Sequence, residues 1–171
     1  MNDLSPAQKE AYARAKSSVV DLFSFELRHS AFPQPIRMIS YDCDVRVRLE
    51  DYAPANPGEV VDFMGVAFKA PQESINTEPG NNFSVSVGGI SSQALPYLAV
   101  ASDSLEPISA TVRYVALDTR LLRKRDQVPR LDAVIGVSRP SEMQVKNVSV
   151  SMLVVQMTLG FTNLSGRTLD V

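Results

Sequence analysis

Two side chains in the first fifty residues could form a nucleophile and its base. The chain has one cysteine, Cys43, and one histidine, His29, and a thiol activated by an imidazole is a common catalytic arrangement. No family signature surrounds either residue, and their spacing in sequence sets no limit on their distance in the fold. We therefore interpret His29 as a residue at a strand end with a local hydrogen bond. We interpret Cys43 as a small, partly buried apolar group.

A group of carboxylates around Cys43 could bind a cation or act as a paired acid and base: Asp42, Asp44, Glu50 and Asp51. Calcium loops supply oxygen ligands at fixed spacing, and glycosidases use two opposed carboxylates. The calcium-loop spacing is missing, and Arg46 and Arg48 follow on the same strand face. We interpret the group as charges that pair across a solvated face. Since no phosphate-loop motif is present either, the sequence predicts no catalytic residue, no metal ligand, no cofactor and no enzymatic activity.

A basic segment in the second half of the chain is a candidate surface for subunit or partner contacts. Its cations are Arg120, Arg123, Lys124, Arg125 and Arg130. Asp118, Asp126 and Asp132 neutralise it in part, and no aromatic residues alternate with the cations, so stacking on bases is not supported. Two interpretations remain open, a solvated loop and a contact with another protein.

The composition excludes several classes of protein. The chain has 171 residues, of which 44% are hydrophobic and 21% charged, with a formal net charge of −2. These values are typical of one soluble globular domain and argue against disorder or a coiled coil. No basic excess is available to attract DNA or an anionic membrane. One cysteine cannot form an internal disulfide, so we expect synthesis in a reducing cytoplasm.

The elements that must position these groups begin with a helix. Ser5 precedes Pro6, and Gln8 lies three residues after Ser5, which is typical of a capped helix start. Alanines then recur every four residues and predict a helix over residues 6–17. We expect residues 1–18 to form a helical arm and residues 19–171 to form a single β-rich domain.

After residue 18 the apolar pattern alternates with a period of two, which indicates half-buried strands. Strands are predicted over residues 23–27, 36–40, 45–49, 83–87, 110–118, 145–150 and 155–161. A tight hairpin with its turn at Met64 and Gly65 is predicted over residues 60–70, and a short helix over residues 92–101. Strands without regular crossover helices favour an antiparallel β-sandwich or barrel. The predicted fold class is mainly β, with an N-terminal helix and one short internal helix.

One segment resembles a known family. Residues 25–37 read Phe-Glu-Leu-Arg-His-Ser-Ala-Phe-Pro-Gln-Pro-Ile-Arg. They resemble the opening of a family of small phage tail-tip proteins of uncharacterised function, encoded next to the tape-measure protein of long-tailed, siphophage-like phages. The family pattern is a strand, a His-x-Ala-Phe-x-x-Pro-Ile-Arg turn and a second strand. The matching turn residues are His29, Phe32, Pro35 and Arg37. The order of later segments is also similar, so the resemblance covers most of residues 19–169.

The resemblance implies a structural role in the virion. Family members are expected to form an adaptor ring of the distal-tail or hub type, between the tail tube and the tip proteins, on a tail-tube-like β-sandwich or barrel. The implied partners are other copies of the chain in a threefold or sixfold ring, and the neighbouring tail-tube, tape-measure and hub or tip proteins. No membrane and no sequence-specific nucleic acid is implied. Assembly would take place in the host cytoplasm.

Three alternatives stay open at this point. The chain could be a tail assembly chaperone or a host-receptor-binding module. A small tail-associated hydrolase that uses His29 or Cys43 is the least favoured. In a ring, cations that line a narrow channel would repel one another and bind DNA. We therefore expect the basic segment to point outward or sideways, onto an acidic patch of a neighbouring protein or of the next subunit.

Overall fold

The computed structural model describes residues 18–69, 82–88, 95–121, 131–151 and 154–161. This part of the chain is mainly β, as predicted. The strands are β1 (Val19–Arg28), β2 (Ile36–Ile39), β3 (Val45–Arg48), β4 (Val60–Gly65), β5 (Ala67–Lys69), β6 (Asn82–Gly88), β7 (Ser109–Asp118), β8 (Val134–Val137), β9 (Ser141–Val150) and β10 (Val154–Gly160). One α-helix, α1 (Leu95–Ser102), precedes β7, and a 3-10 turn (Leu131–Ala133) precedes β8. The predicted helix over residues 6–17 lies outside the described residues.

The strands form one mixed sheet in the order β3-β4-β2-β1-β7-β9-β10-β6-β5, with β8 paired to β7. Most pairs are antiparallel, but β2 and β4 run parallel, with Met38 opposite Met64 and Ile39 opposite Gly65. The expectation of a purely antiparallel sheet is therefore wrong. Alternation along a strand indicates which residues share a face, but the direction of the neighbouring strand depends on the path of the connection between them.

The hairpin predicted over residues 60–70 is also wrong. β4 and β5 are separated by Val66 alone and do not pair with each other. β4 pairs with β3 and β2, and β5 pairs with β6. The chain stays extended through the break, where the Val66 N–H donates to the carbonyl oxygen of Ile39 at 3.0 Å. Residues 60–69 are thus one extended stretch that pairs with β3 and β2 through β4 and with β6 through β5.

The centre of the sheet is the long pair β1 and β7. All ten residues of each strand are in register, from Val19 opposite Asp118 to Arg28 opposite Ser109. One face of the pair carries Phe23, Phe25 and Leu27, which are buried in the larger hydrophobic core. Leu98 of α1 is buried in the same core. Among the described residues, no helix is long and apolar enough to cross a membrane.

The opposite face of β1 and β7 is buried as well. A second core forms there from Leu22, Ile39, Val45, Val47, Leu49, Ala53, Phe63, Val115 and Leu117. The pair β3–β4 and the segment that follows β3 cover this face. Further along the same face the buried side chains are polar: Ser24, Glu26, Thr111 and Arg113. The central strands are therefore covered on both sides, and charged groups lie inside one of the two layers.

Other sequence predictions are confirmed within the described residues. The seven strands predicted apart from the hairpin are present, and α1 lies in the range predicted for the internal helix. β9 and β10 pair antiparallel, and the Ser151 N–H donates to the carbonyl oxygen of Val154 at 2.9 Å between them. β8 was not predicted. It is only four residues long and contains Gly136, which weakens a strand signal.

Gly65 is expected to tolerate no side chain. A Cβ at this position would overlap the backbone carbonyl group of Cys43 and lie 2.9 Å from the Cys43 Cα. Because backbone cannot swing aside, we expect Gly65→Ala to lower the free energy of unfolding by roughly 1–3 kcal/mol in urea titrations.

Gly88→Ala is the matched control, since its Cβ would lie at an ordinary 3.6 Å from the Ala67 carbonyl oxygen. We expect Gly88→Ala to change the free energy of unfolding by less than about 1 kcal/mol. Equal effects of the two substitutions would contradict this account of the contact.

Candidate functional site

The motif turn between β1 and β2 is held by its own residues. Phe32 N–H donates to the carbonyl oxygen of His29 at 3.0 Å, and Ala31 N–H donates to His29 Nδ1 at 3.0 Å. With Nδ1 as acceptor, Nε2 carries the proton and donates to the carbonyl oxygen of Glu106 at 3.2 Å. The Phe32 ring is buried in the larger core, 5.5 Å from the imidazole centroid. His29 is therefore a strand-end residue with local hydrogen bonds, as predicted.

The turn also places the Arg37 side chain next to a buried carboxylate, that of Glu26. Arg37 Nε donates to Glu26 Oε2 at 2.7 Å, and its Nη2 donates to Asn56 Oδ1 at 2.7 Å. Glu26 has no exposed side-chain surface, so its charge must be compensated locally. Pro35 precedes β2 and is half-buried. The motif residues thus shape a turn and neutralise a buried charge.

A second buried pair joins β7 to the segment after β3. Arg113 Nε donates to both carboxylate oxygens of Glu50, at 3.0 and 3.2 Å. The Arg113 side chain is fully buried, whereas that of Glu50 is 13% exposed. Within the described residues, Arg113 Nη1 and Nη2 have no hydrogen-bond partner. Glu50 is therefore the counter-charge on which the buried guanidinium depends.

A third branch lies toward the end of β1. Arg28 Nη2 donates to Glu142 Oε2 at 2.5 Å and to Thr111 Oγ1 at 3.0 Å, and its Nε lies 3.5 Å from Glu26 Oε1. We call the six charged residues of these three branches the ion network: Glu26, Arg28, Arg37, Glu50, Arg113 and Glu142. It holds three carboxylates and three guanidinium groups, and every carboxylate is occupied by an arginine. These pairs join β1 to β2 and β9, and β7 to the segment after β3.

The segment that carries Glu50 is bent around that residue. The Glu50 carbonyl oxygen accepts from the N–H groups of both Ala53 and Gly58, at 3.0 Å each. Two residues of the bend have positive φ, Asn56 at 55° and Gly58 at 70°. The left-handed region is accessible to asparagine and favoured by glycine. The bend places the Asn56 amide on Arg37 and the Glu50 carboxylate on Arg113.

A groove lies where β5 leaves β4. It has a volume of about 530 Å³ and is lined by Ser40, Tyr41, Asp42, Gly65, Val66, Ala67 and Phe68. We call it the edge groove, because its wall is the side of β5 that does not face β6. Asp44 Oδ1 accepts the Gly65 N–H at 2.9 Å and holds the residue 41–44 turn against this end of β4. Asp42 is an exposed residue of the groove lining, and no described residue forms a hydrogen bond or a salt bridge with its carboxylate.

The interpretation of the carboxylate group holds only in part. Arg46 pairs with Asp62 of β4, with nitrogen–oxygen distances of 2.7 and 3.0 Å, and not with Asp42 or Asp44. That pair holds the pKa of Asp62 below its ordinary value, mainly through the Arg46 hydrogen bond. In the described part of the chain, no group of three or more His, Cys, Asp or Glu residues could hold a metal ion.

Cys43 was expected to be a partly buried apolar group; the residue as a whole is exposed, and only its thiol is partly withdrawn from water. It lies in the turn after β2, where Gly65 supports its backbone and leaves the side chain outside. His29 lies beyond the opposite end of the β1–β2 pair, in which Ser24 is opposite Ile39 and Leu27 is opposite Ile36. The sheet register therefore separates the two residues by the length of β2. They do not form a nucleophile–base pair.

Of the five cations proposed for partner contacts, the structure describes Arg120. Its guanidinium donates to Asp118, with Nε 2.9 Å from Oδ1 and Nη2 2.5 Å from Oδ2. This pairing holds the pKa of the Asp118 carboxyl well below its usual range. Arg123, Lys124, Arg125 and Arg130 lie outside the described residues.

Sequence reasoning did not identify Glu26 and Arg113 as buried charges, and it placed Glu50 only in the carboxylate group. Two signals were present: a glutamate and an arginine sit within strongly apolar strands, at Glu26 of β1 and Arg113 of β7. Charged residues inside such strands indicate a partner. The partners themselves, Arg37 and Glu50, could be assigned only once the register and the bend were known.

Removing Glu50 and removing Arg113 should lower the free energy of unfolding by different amounts. We expect Glu50→Gln to lower the free energy of unfolding by roughly 3–5 kcal/mol, because a buried guanidinium loses its counter-charge. Arg113→Met should cost less, because Glu50 is partly exposed and water can solvate it. The double variant should therefore be more stable than Glu50→Gln alone. Urea titrations of the three variants test this, and additive effects would contradict it.

The acidic turn should slow alkylation of the single cysteine. Partial burial of the thiol, followed by the charges of Asp42 and Asp44, raises the pKa of Cys43. A raised pKa means less thiolate at any pH below it, and the thiolate is the reactive form. We therefore expect Asp42→Asn to lower this pKa and to speed reaction with iodoacetamide at pH 8. Asp103→Asn, which removes a charge after α1, is the control. Equal rates in both variants would contradict the assignment.

Comparison of the sequence with known protein families and curated proteins finds no relative. No protein-family model matches the chain, and no curated protein sequence matches it.

Proposed function

We propose that this chain is a structural, non-enzymatic subunit of the tail tip of a long-tailed phage. In this role, copies of the chain form an adaptor ring, threefold or sixfold, between the tail tube and the tip proteins. The motif at residues 29–37 suggests the class of protein. A ring subunit acts through its shape and its contacts, so its function lies in surfaces that join copies rather than in a catalytic centre.

The observation that carries the proposal is the open edge of β8. Among the described residues, this strand pairs with β7 on one side only, with Val137 opposite Val115 and Gly136 opposite Ala116. Its sequence, Val-Ile-Gly-Val, has no charge, and all four residues are half-buried. Open, apolar strand edges are templates for pairing with another chain. Soluble monomers usually protect such an edge with charged residues, so an unprotected edge supports assembly with a partner.

We also propose that the sheet closes into a barrel. The extended stretch of residues 60–69 pairs with β2 through β4 and with β6 through β5. The strand next to one end of the sheet path, β4, and the strand at the other end, β5, therefore lie on one segment. The larger core includes side chains from β1, β2, β6, β7, β9 and β10. This arrangement supports a tail-tube-like barrel filled by the larger core. The pair β3–β4 would then form a second layer on its outside.

The motif residues have roles that suit a rigid building block. His29 and Phe32 fix the turn, and Arg37 neutralises Glu26 beneath it. Buried ion pairs contribute little net stability, but they penalise any arrangement in which the charges lose their partners. A ring subunit needs such a defined shape, because a small error in each copy is repeated around the ring.

A host-receptor-binding module is the second candidate. One observation favours it: apolar side chains on α1 and just after it are exposed, namely Tyr97, Val100 and Leu105. An aromatic anchor among aliphatic side chains is a common feature of binding surfaces. Such a module would occupy the outside of the particle and would not need to encircle a channel. The position of the protein in the particle separates the two candidates.

Purified virions of the phage that encodes the chain test the proposal. Mass spectrometry should find the protein in each particle in a multiple of three copies, and cryo-electron microscopy should place it around the channel at the tail tip. Absence from the particle would rule out an adaptor ring. A peripheral position would favour the receptor-binding module.

The basic segment should contribute to assembly rather than to folding. We expect the triple variant Arg123→Ser, Lys124→Ser, Arg125→Ser to fold normally but to yield fewer complete tails, because its cations would meet an acidic neighbour. Lys146→Ser removes an exposed cation elsewhere and is the control. Circular dichroism checks folding, and electron microscopy of lysates counts tails. A normal yield from the triple variant would remove the segment from the proposed contacts.

A further inference from the structure

We propose that β8 of one copy adds to the open edge of β5 in the next copy, with Arg139 of the first paired to Asp42 of the second. The inference rests on the proposed function, because it specifies how copies of the chain join in the ring. It assigns the edge groove a ligand of stated chemistry: an extended, uncharged apolar strand followed by an arginine.

The strand edge that would receive β8 is the side of β5 that faces the edge groove. Val66 N–H points toward β2, where it donates to the Ile39 carbonyl oxygen. Backbone groups alternate between the two sides of an extended chain, so the Phe68 N–H is directed to the same side as that of Val66. β2 ends at Ile39 and does not reach this position. The groove has a volume of about 530 Å³ and is open to solvent, so an added strand could reach it from outside.

The strand edge that would be added to β5 is the side of β8 that faces away from β7. Ser138 N–H donates to the Tyr114 carbonyl oxygen at 2.8 Å, so it points toward β7. Alternation directs the Val137 N–H to the opposite side. Strand addition uses backbone groups of this kind for affinity, and neighbouring side chains for specificity. The apolar side chains of β8 match the Val66, Ala67 and Phe68 wall of the groove.

The two edges are far apart within one copy. β8 lies on β7, and β1 and β2 separate β7 from β4 along the sheet. In the other direction, β9, β10 and β6 separate β7 from β5. One copy therefore cannot pair its own β8 with its own β5. Two unlike surfaces on different sides of a subunit give head-to-tail contacts, which close into rings when the rotation permits.

Charge complementarity identifies the occupant as a second copy. Asp42 lines the groove and is exposed, and Arg139 lies two residues beyond the end of β8 and is exposed. Neither side chain has a hydrogen-bond or salt-bridge partner among the described residues. β5 is only three residues long, so backbone pairing alone gives a short contact. A pair between Asp42 and Arg139 would fix the register of that contact and exclude a reversed strand.

Charge reversal tests the pair in the full-length chain. We expect Asp42→Arg and Arg139→Asp each to weaken self-association at least about tenfold, because like charges would then face each other. The double variant should restore wild-type self-association. Sedimentation velocity across a concentration series gives the measurement. Asp103→Arg and Lys146→Asp reverse exposed charges elsewhere and should have little effect.

Disulfide trapping gives a second, independent test. Cys43 is the single cysteine of the chain and adjoins Asp42, so Pro140→Cys supplies one reactive partner next to Arg139. Mild oxidation should produce covalent oligomers that end in one closed species on a non-reducing gel. Ser149→Cys, at an exposed position on β9, should not produce this ladder. Adding Cys43→Ser to Pro140→Cys should abolish it.

The outcomes separate this inference from the proposed function. Ring-sized oligomers that survive both single charge reversals and give no Cys43 cross-link would overturn the β8–β5 contact and leave the adaptor ring in place. A chain that associates through this contact but is absent from virions would support the contact and overturn the tail-tip function. A chain that stays monomeric at the high concentrations reached in assembly would overturn both.

Discussion

Glu26 and Arg113 lie on the covered face of the central strands, and the surrounding structure must supply each with an opposite charge. Both side chains are fully buried, and a buried charge without a partner is among the most costly defects that a fold can have. The partners come from outside the central pair: Arg37 from β2 and Glu50 from the segment after β3. Two charge pairs thereby decide where the motif turn and the bent segment lie. β3 and β4, on either side of the bent segment, are held in addition by their own ladder and by the second core.

The strands could be predicted from the sequence because each one carries its own signal. Phe23, Phe25 and Leu27 alternate with polar residues whether or not their neighbours are known. The pairing of residues 60–69 could not be predicted in this way. A glycine after an apolar run indicates a turn locally, but here Gly65 allows the backbone of Cys43 to pass close by. The contact is remote in sequence, so no local pattern contains it.

The candidate site was predictable to a smaller extent. The turn at residues 29–37 was recognised, and the structure gives its residues physical roles, with Phe32 in the core and Arg37 on Glu26. The network itself depends on register, because Glu26 and Arg113 lie on the same covered face only after β1 and β7 are aligned. The proposed pairing of Asp42 with Arg139 could not be predicted from the sequence either. Each is an ordinary surface charge in sequence, and the proposed contact between them depends on the strand edges beside them, which only the fold reveals.

The extended stretch of residues 60–69 determines how the molecule would carry a mechanical load. A neighbour attached at β5 pulls on a chain that continues without a hinge into β4, and β4 lies parallel to β2. Tension along this stretch therefore shears the β4–β2 and β4–β3 ladders along their length. Hydrogen bonds loaded in shear resist together, whereas those peeled from one end fail in turn. A subunit built this way passes traction from its neighbour directly into its interior, with little stretching at the surface.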